Sequence, residues 1–178
     1  VYNVGDFKNF HLKNKKKFNL IINIFYPTSQ LSEIKNYQNF FELSIKNLSL
    51  ILDQMDHKYI NKIIYTSSSS VYGSINENHY SDDANNRQLY SSAKLLNEVV
   101  LNNYCKKNNI QLIVARLFNM YGPNENFSII HKLIKSIKDK KKIVIYNNGN
   151  STRDFIHVDD VCEIYLKLLG EKKSNIYD

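Results

Sequence analysis

Tyr90 and Lys94 stand four residues apart in "LYSSAKLLNE". On an α-helix that spacing puts both side chains on one face. A phenol with an ordinary pKa of about 10 is a weak base at neutral pH. A lysine ammonium beside it favours the phenolate and brings it toward working range. Earlier in the chain, "YTSSSSVYG" offers a cluster of serine hydroxyls. One of them, hydrogen-bonded to the same substrate oxygen, would steady a proton transfer. Such a set suits a reaction that removes a hydroxyl proton while hydride leaves the same carbon.

Spacing alone does not carry this reading. The chain has 13 tyrosines and 24 basic residues, the latter all lysine except Arg87, Arg116 and Arg153. Random placement gives roughly 1.5 Tyr-x-x-x-Lys pairs in such a chain, so the bare motif is uninformative. What matters is where the surrounding elements put the pair.

Apolar runs and helical patterns alternate. "NLIINIF" (19–25) and "KIIYTS" (62–67) read as strands buried on both faces. Between 34 and 55, Ile34, Tyr37, Phe41, Ile45, Leu48, Leu52 and Met55 recur at helical spacing. Leu89, Ala93, Leu96, Val100 and Tyr104 mark one face of a helix ending near Asn108. Then follow "IQLIVARLF" (strand), Ser128 to Ile137 (helix), "KIVIY" (142–146, strand) and "RDFIH" (153–157, short strand). A last helix opens near Asp159 or Asp160 and stops at Gly170. This alternation predicts an α/β protein with a largely parallel sheet. Ligands of such sheets sit beyond the carboxyl ends of the strands, and the serine run follows a strand directly. The serines therefore read as a site, not a linker.

Composition narrows the class. At 178 residues and 43% hydrophobic content the chain suits one domain with a real core. No apolar stretch is long enough to span a bilayer. Cys105 and Cys162, far apart in sequence, indicate neither a disulfide framework nor a thiolate metal site, and His57, His79 and His131 have no partners at metal spacing. A reduced, cytoplasmic setting is expected. The formal charge of +7 resides partly in "KNKKK" (13–17) and "KDKKK" (138–142). Aromatics do not interleave with these runs as a stacking platform requires, so they read as solvated surface rather than a nucleic-acid contact.

In this order, "YTSSSSVYG", "YSSAKLLNE", "ARLFNMYGP" and "STRDFIHVDDV" resemble the extended short-chain dehydrogenase/reductase family. The resemblance is to its NAD-dependent nucleotide-sugar epimerases and dehydratases, and runs from about Gly5 to the C-terminus. It implies Ser68, Tyr90 and Lys94 as the catalytic set, with Tyr90 as acid/base and Lys94 also holding the nicotinamide ribose. It places Phe118 against the cofactor, Asp6 and Phe7 ("GDFKN") near adenine, and Phe25, Tyr26 and Ser44 along the cofactor's path. Ser68 and Tyr90, with Asn119 and Arg153 at the diphosphate, would hold the nucleotide-sugar substrate. An arginine fork suits phosphate oxygens. Asn119 satisfying backbone groups and Arg153 in an ion pair are the structural alternatives. His157 is expected to be structural, and Ser69 and Ser70 to serve turn and packing. The cofactor implied is NAD, with NADP left open, and a homodimer through the 34–55 and 89–108 helices is implied for the complete protein.

The sequence also departs from the family pattern. Phe25 and Tyr26 stand where the family has small residues, and Ser44 where it commonly has Asn. The dehydratase Thr-Asp-Glu is replaced by Ser68, Ser69 and Ser70, which favours an epimerase or reductase. The five glycines, at 5, 73, 122, 149 and 170, permit no Gly-x-x-Gly-x-x-Gly turn. The expected fold is thus a partial Rossmann-type doubly wound parallel sheet, lacking its first two strands and glycine-rich turn. One domain, 1–178, is expected, with 119–155 contributing to the substrate side. The open edge is expected along "KIIYTS", with the segment near Val1 to Val4 unpaired. Two functions follow: a nucleotide-sugar epimerase or reductase inactive as this isolated chain, or a non-catalytic truncated relative acting as an interaction module.

Overall fold

The computed structural model describes residues 16–24, 37–72, 82–145 and 147–178, and for 82–88 and 147 the backbone alone. Four parallel strands form the main sheet in the order β1–β2–β3–β6: β1 Phe18–Ile22, β2 Ile60–Ser68, β3 Gln111–Leu117 and β6 Asn175–Tyr177. Two short strands, β4 Asn119–Tyr121 and β5 Phe155–His157, pair in parallel as a separate sheet. The helices are α1 Tyr37–Phe41, α2 Asn47–Gln54, α3 Asp82–Asn108, α4 Ile129–Lys138 and α5 Val158–Leu169. A π-helical turn, Glu42–Lys46, joins α1 to α2.

β2 shows why the layers form. Alternate side chains of a strand point to opposite faces. Ile63 and Tyr65 pack with Leu48, Ile51 and Leu52 of α2 and Leu101 of α3, while Ile64 packs with Ile113, Ala115 and Leu168 on the α5 face. The sheet is therefore covered on both sides, as a continuously apolar strand requires. The expected α/β class with a parallel, doubly covered sheet is what the chain adopts.

Three expectations change. β2 is interior, flanked by β1 and β3, so the edge among the described residues belongs to β1 and not to "KIIYTS". Accordingly β1 is not buried on both faces: Ile21 is 44% exposed although Ile22 is buried. "KIVIY" is not a strand over the described Lys142–Ile145, where Val144 and Ile145 lie exposed. High β-propensity makes a strand only beside a neighbour, and no described strand pairs there. The predicted stripe of α3 packs inward at Leu89, Ala93, Val100 and Tyr104, but the buried face extends beyond it. That face carries Ala93, Lys94, Asn97, Glu98, Leu101 and Cys105, while Leu96 is exposed.

The last helix behaves as read. His157 caps it, its Nδ1 accepting from the Asp159 amide at 3.3 Å, with Asp159 and Asp160 in the first turn and Gly170 at the end. No described helix is long and apolar enough to cross a membrane.

Candidate active site

Ser68 is the last residue of β2, and Ser69–Tyr72 continue as a 3-10 turn. The Ser70 amide and hydroxyl both donate to Ser68 Oγ, at 3.2 and 3.0 Å. Tyr90, on α3, lies close enough to Ser68 for that side chain to favour its phenolate. Lys94, one turn on, donates its ammonium to Thr66 O at 2.9 Å and to Ile24 O at 2.7 Å. It thereby spans the carboxyl ends of β1 and β2, where open α/β sheets take their ligands. The predicted trio of Ser68, Tyr90 and Lys94 is brought together.

The electrostatics differ from the sequence expectation. Burial pushes the Tyr90 phenol up to about 12, against a downward pull from Ser68. Burial pushes the Lys94 ammonium down to about 8, with the Glu98 carboxylate opposing it. The Lys94 nitrogen lies over the Tyr90 ring, 5.7 Å from its centre, and over that of Tyr65 at 5.3 Å. Its charge is spent on main-chain carbonyls and ring faces rather than on the phenol oxygen. Here burial, not Lys94, sets the proton affinity of Tyr90.

A polar frame, buried at its centre, lies beside the trio, and its members other than Ser44 were not picked out from the sequence. Glu98 continues the Tyr90–Lys94 step by another turn, which is the signal that could have found it. It accepts from Ser67 Oγ at 2.5 Å and from Arg116 Nε and Nη2 at 3.2 and 2.8 Å. Arg116 Nη1 then donates to the Tyr72 hydroxyl at 2.7 Å, which donates to Asp178 at 2.6 Å. Asn97 donates to Ser44 O at 2.7 Å and to the Tyr65 hydroxyl at 3.2 Å. On the opposite face, the Thr66 hydroxyl meets that of Tyr165 at 2.5 Å.

The remaining expected positions divide. Ser44 is buried in the π-helical turn, and its hydroxyl has no hydrogen-bond partner among the described residues. Phe118 is 38% exposed at the end of β3. Asn119 pairs with Phe155 across the small sheet, and its side-chain amide donates to Asp154 O at 2.7 Å. This matches its structural alternative. It also carries Arg153, one residue before Asp154, to the same strand pair. Arg153 is exposed and donates to Thr152 O at 2.7 Å. Asp6, Phe7, Phe25 and Tyr26 lie outside the described residues.

Similar proteins give this arrangement a context. Protein CapI of Staphylococcus aureus is 30% identical over 87% of this chain and 48% of its own length. The ADP-L-glycero-D-manno-heptose-6-epimerase of Brachyspira hyodysenteriae is 33% identical over 71% of this chain and 42% of its own. The chain thus spans less than half the length of either relative. In fold it is similar to a mutant of the UDP-glucuronic acid 4-epimerase of Bacillus cereus, solved in complex with UDP-4-deoxy-4-fluoro-glucuronic acid and NAD. That likeness has a TM-score of 0.76 at 24% identity, covering 98% of this chain and 57% of that one. Residues 9–178 match the family model described as the NAD dependent epimerase/dehydratase family, and the chain belongs to that family.

Proposed function

We propose that this chain is the catalytic portion of an NAD-dependent epimerase, or reductase, acting on a nucleotide-diphosphate sugar through a keto-sugar intermediate. The observation that carries this is the meeting of Ser68, Tyr90 and Lys94 at the carboxyl ends of β1 and β2. The residues present fit the ribose end of a dinucleotide, where Lys94 and the unpartnered Ser44 hydroxyl would hold it. For the pyrophosphate, the sequence contains no glycine-rich cradle. When bound, the dinucleotide supplies the hydride acceptor and donor.

Tyr90 exchanges the proton of the sugar hydroxyl and Ser68 holds the same oxygen. A phenol pushed up to about 12 is fully protonated at neutral pH, which suits the half-reaction that returns a proton to the keto oxygen. Taking a proton requires the phenolate, and the nearest charge able to favour it is Lys94. Its ammonium must then give up part of its hold on the Thr66 and Ile24 carbonyls. Arg153 supplies a diphosphate contact from the small sheet, and Asn119 a second once its amide leaves the Asp154 carbonyl. The serines at 69 and 70, in place of an acidic pair, favour epimerisation or reduction over elimination of water.

The test is turnover of UDP-, dTDP- and ADP-hexoses, with enzyme-bound NADH followed by its fluorescence. In the complete protein, Tyr90→Phe should lower turnover at least ~100-fold with a much smaller loss of nucleotide-sugar binding. Equal turnover by Tyr90→Phe would overturn the assignment. The purified 178-residue chain, lacking a glycine cradle, should bind NADH only weakly. Tight, saturable binding would contradict that part.

A further inference from the structure

Arg116 of β3 lies directly across the ladder from Ser67 of β2, and the next pair, Ser68 with Leu117, is the last. Past Ser68 the chain leaves the sheet as the Ser69–Tyr72 turn, which lies against α3. No described strand pairs with it there. Among the described residues, the side-chain hydrogen bonds that tie this turn to other elements both run through the Tyr72 hydroxyl, to Arg116 and to Asp178. The two anchors are unequal. Asp178 is exposed, and water competes for the same groups. Arg116 is rooted, because its Nε and Nη2 grip Glu98 at 3.2 and 2.8 Å in an ion pair largely shielded from solvent. The same carboxylate accepts from Ser67 Oγ at 2.5 Å. Nη1 is left to donate to Tyr72 at 2.7 Å, with the Arg116 guanidinium 4.8 Å from the centre of that ring. One planar fork thus serves two groups at fixed angles, which a single ammonium on a flexible stem cannot do.

We propose that Arg116 is a positioning residue: through the Tyr72 hydroxyl it clamps the Ser69–Tyr72 turn to the Glu98 carboxylate of α3, and so sets Ser68 against the helix that carries Tyr90 and Lys94. This rests on the assignment of Ser68 and Tyr90 to the reaction. Ser68 comes from a strand end and Tyr90 from a helix, so their spacing depends on how the two elements are joined. Lys94 to the Thr66 carbonyl and Glu98 to the Ser67 hydroxyl join them just before Ser68. Arg116 joins them just after it, and Ser68 lies between the two ties. A displacement of about an ångström in a reacting group slows a reaction severely while the rest of the substrate still binds. Loss of the second tie should therefore appear in kcat and hardly in KM.

Tyr72→Phe keeps the ring over the guanidinium and removes the hydrogen bond, while Arg116→Lys keeps a charge beside Glu98 and removes the fork. In the 178-residue chain both should speed amide hydrogen exchange in Ser69–Tyr72 about 10-fold, and Tyr72→Phe should leave the β2 amides unchanged. Asp178→Ala, which removes the other anchor, should have little effect. In the complete protein, Tyr72→Phe should lower kcat about 10-fold with little change in KM. In a Ser68→Ala background the same change should cost nothing more, because the hydroxyl it positions is gone. Losses that multiply would mean that Tyr72 acts elsewhere, and would overturn the proposal. Unchanged exchange in the turn would overturn it too, as would an equal rise in β2 with Tyr72→Phe or an equal effect of Asp178→Ala. If Ser68→Ala alone turns over at the wild-type rate, the assignment of Ser68 to the reaction fails, and Arg116 holds a turn with no chemistry to position.

Discussion

The Lys94 ammonium lies 2.9 Å from the carbonyl oxygen of Thr66 and donates to it, fastening α3 to the carboxyl end of β2. Through its second contact, to Ile24, it also reaches past the end of β1. A charge held by two neutral carbonyls and two ring faces is poorly compensated for the water it has lost. That imbalance is what brings the lysine down to about 8.

The shift has a pH signature. In the unfolded chain the lysine keeps its proton to about 10.5, in the folded chain to about 8. Between those values the unfolded state binds more protons, so stability rises with pH. The contribution is complete above the unfolded value and is lost as pH falls through the folded one. Wild type should therefore gain stability relative to Lys94→Met across that window. Urea midpoints taken at steps through it would read the gain, and a constant difference would count against the burial of the charge. Tyr90 and Cys105, both pushed up to about 12, titrate in the opposite sense in both proteins.

Arg116 and Glu98 form a two-pronged ion pair with side chains only 14% and 8% exposed. Methionine at 116 would leave a buried carboxylate with the Ser67 hydroxyl and no hydrogen-bonded cation. A loss of about 3 kcal/mol is expected. Adding Glu98→Gln should recover part of it, because the orphaned charge is then gone. Urea denaturation of the two single variants and the double variant measures the coupling.

Gly122 lies against α5. A Cβ there would sit 2.5 Å from Val158 Cγ1 and 3.1 Å from Val158 Cβ. Both are main-helix side-chain atoms with little room to move, so Gly122→Ala should cost about 1–3 kcal/mol. Val158→Ala in the same chain should relieve most of that. Thermal melts of the pair would show it, and additive losses would mean the clash is not the cause.

Lys62 is 2% exposed and donates to three carbonyls at the end of α5: Leu168 at 3.1 Å, Leu169 at 2.7 Å and Glu171 at 2.6 Å. A positive charge there complements the helix dipole and the unfilled carbonyls. Lys62→Met keeps the length and removes every donor, so a loss of about 2–4 kcal/mol is expected in urea. Unchanged stability would mean that water serves the carbonyls equally well.

Much of this was legible in the residues, and the exceptions share a cause. "KIIYTS" and "KIVIY" look alike as sequences, yet only the first has strands on both sides to pair with. "NLIINIF" reads as doubly buried because composition records apolarity and not neighbours, and β1 is an edge among the described residues. In α3 the apolar stripe packs inward except at Leu96, but the helix also buries Lys94, Asn97 and Glu98, which the stripe did not include. Each has a partner supplied by another element: Thr66, Ser44 and Arg116. Periodicity ranks residues by hydrophobicity and so misses the part of a face whose burial depends on polar partners. The trio was named from the resemblance, whose motifs are short contiguous stretches at one strand end and on one helix. The frame was missed because it joins positions distant in sequence.

The seat of Lys62 bears on how the molecule breathes. The last turn of a helix is ordinarily the first part to fray, exchanging its amide hydrogens in small local openings. Here the last turn of α5 is held by an ammonium rooted in the interior strand of the sheet, and releasing it strands that charge among apolar side chains. The end of α5 is thus tied to the fate of β2. Its amides should exchange only when the sheet itself comes apart, making a terminus one of the slowest places in the chain to open.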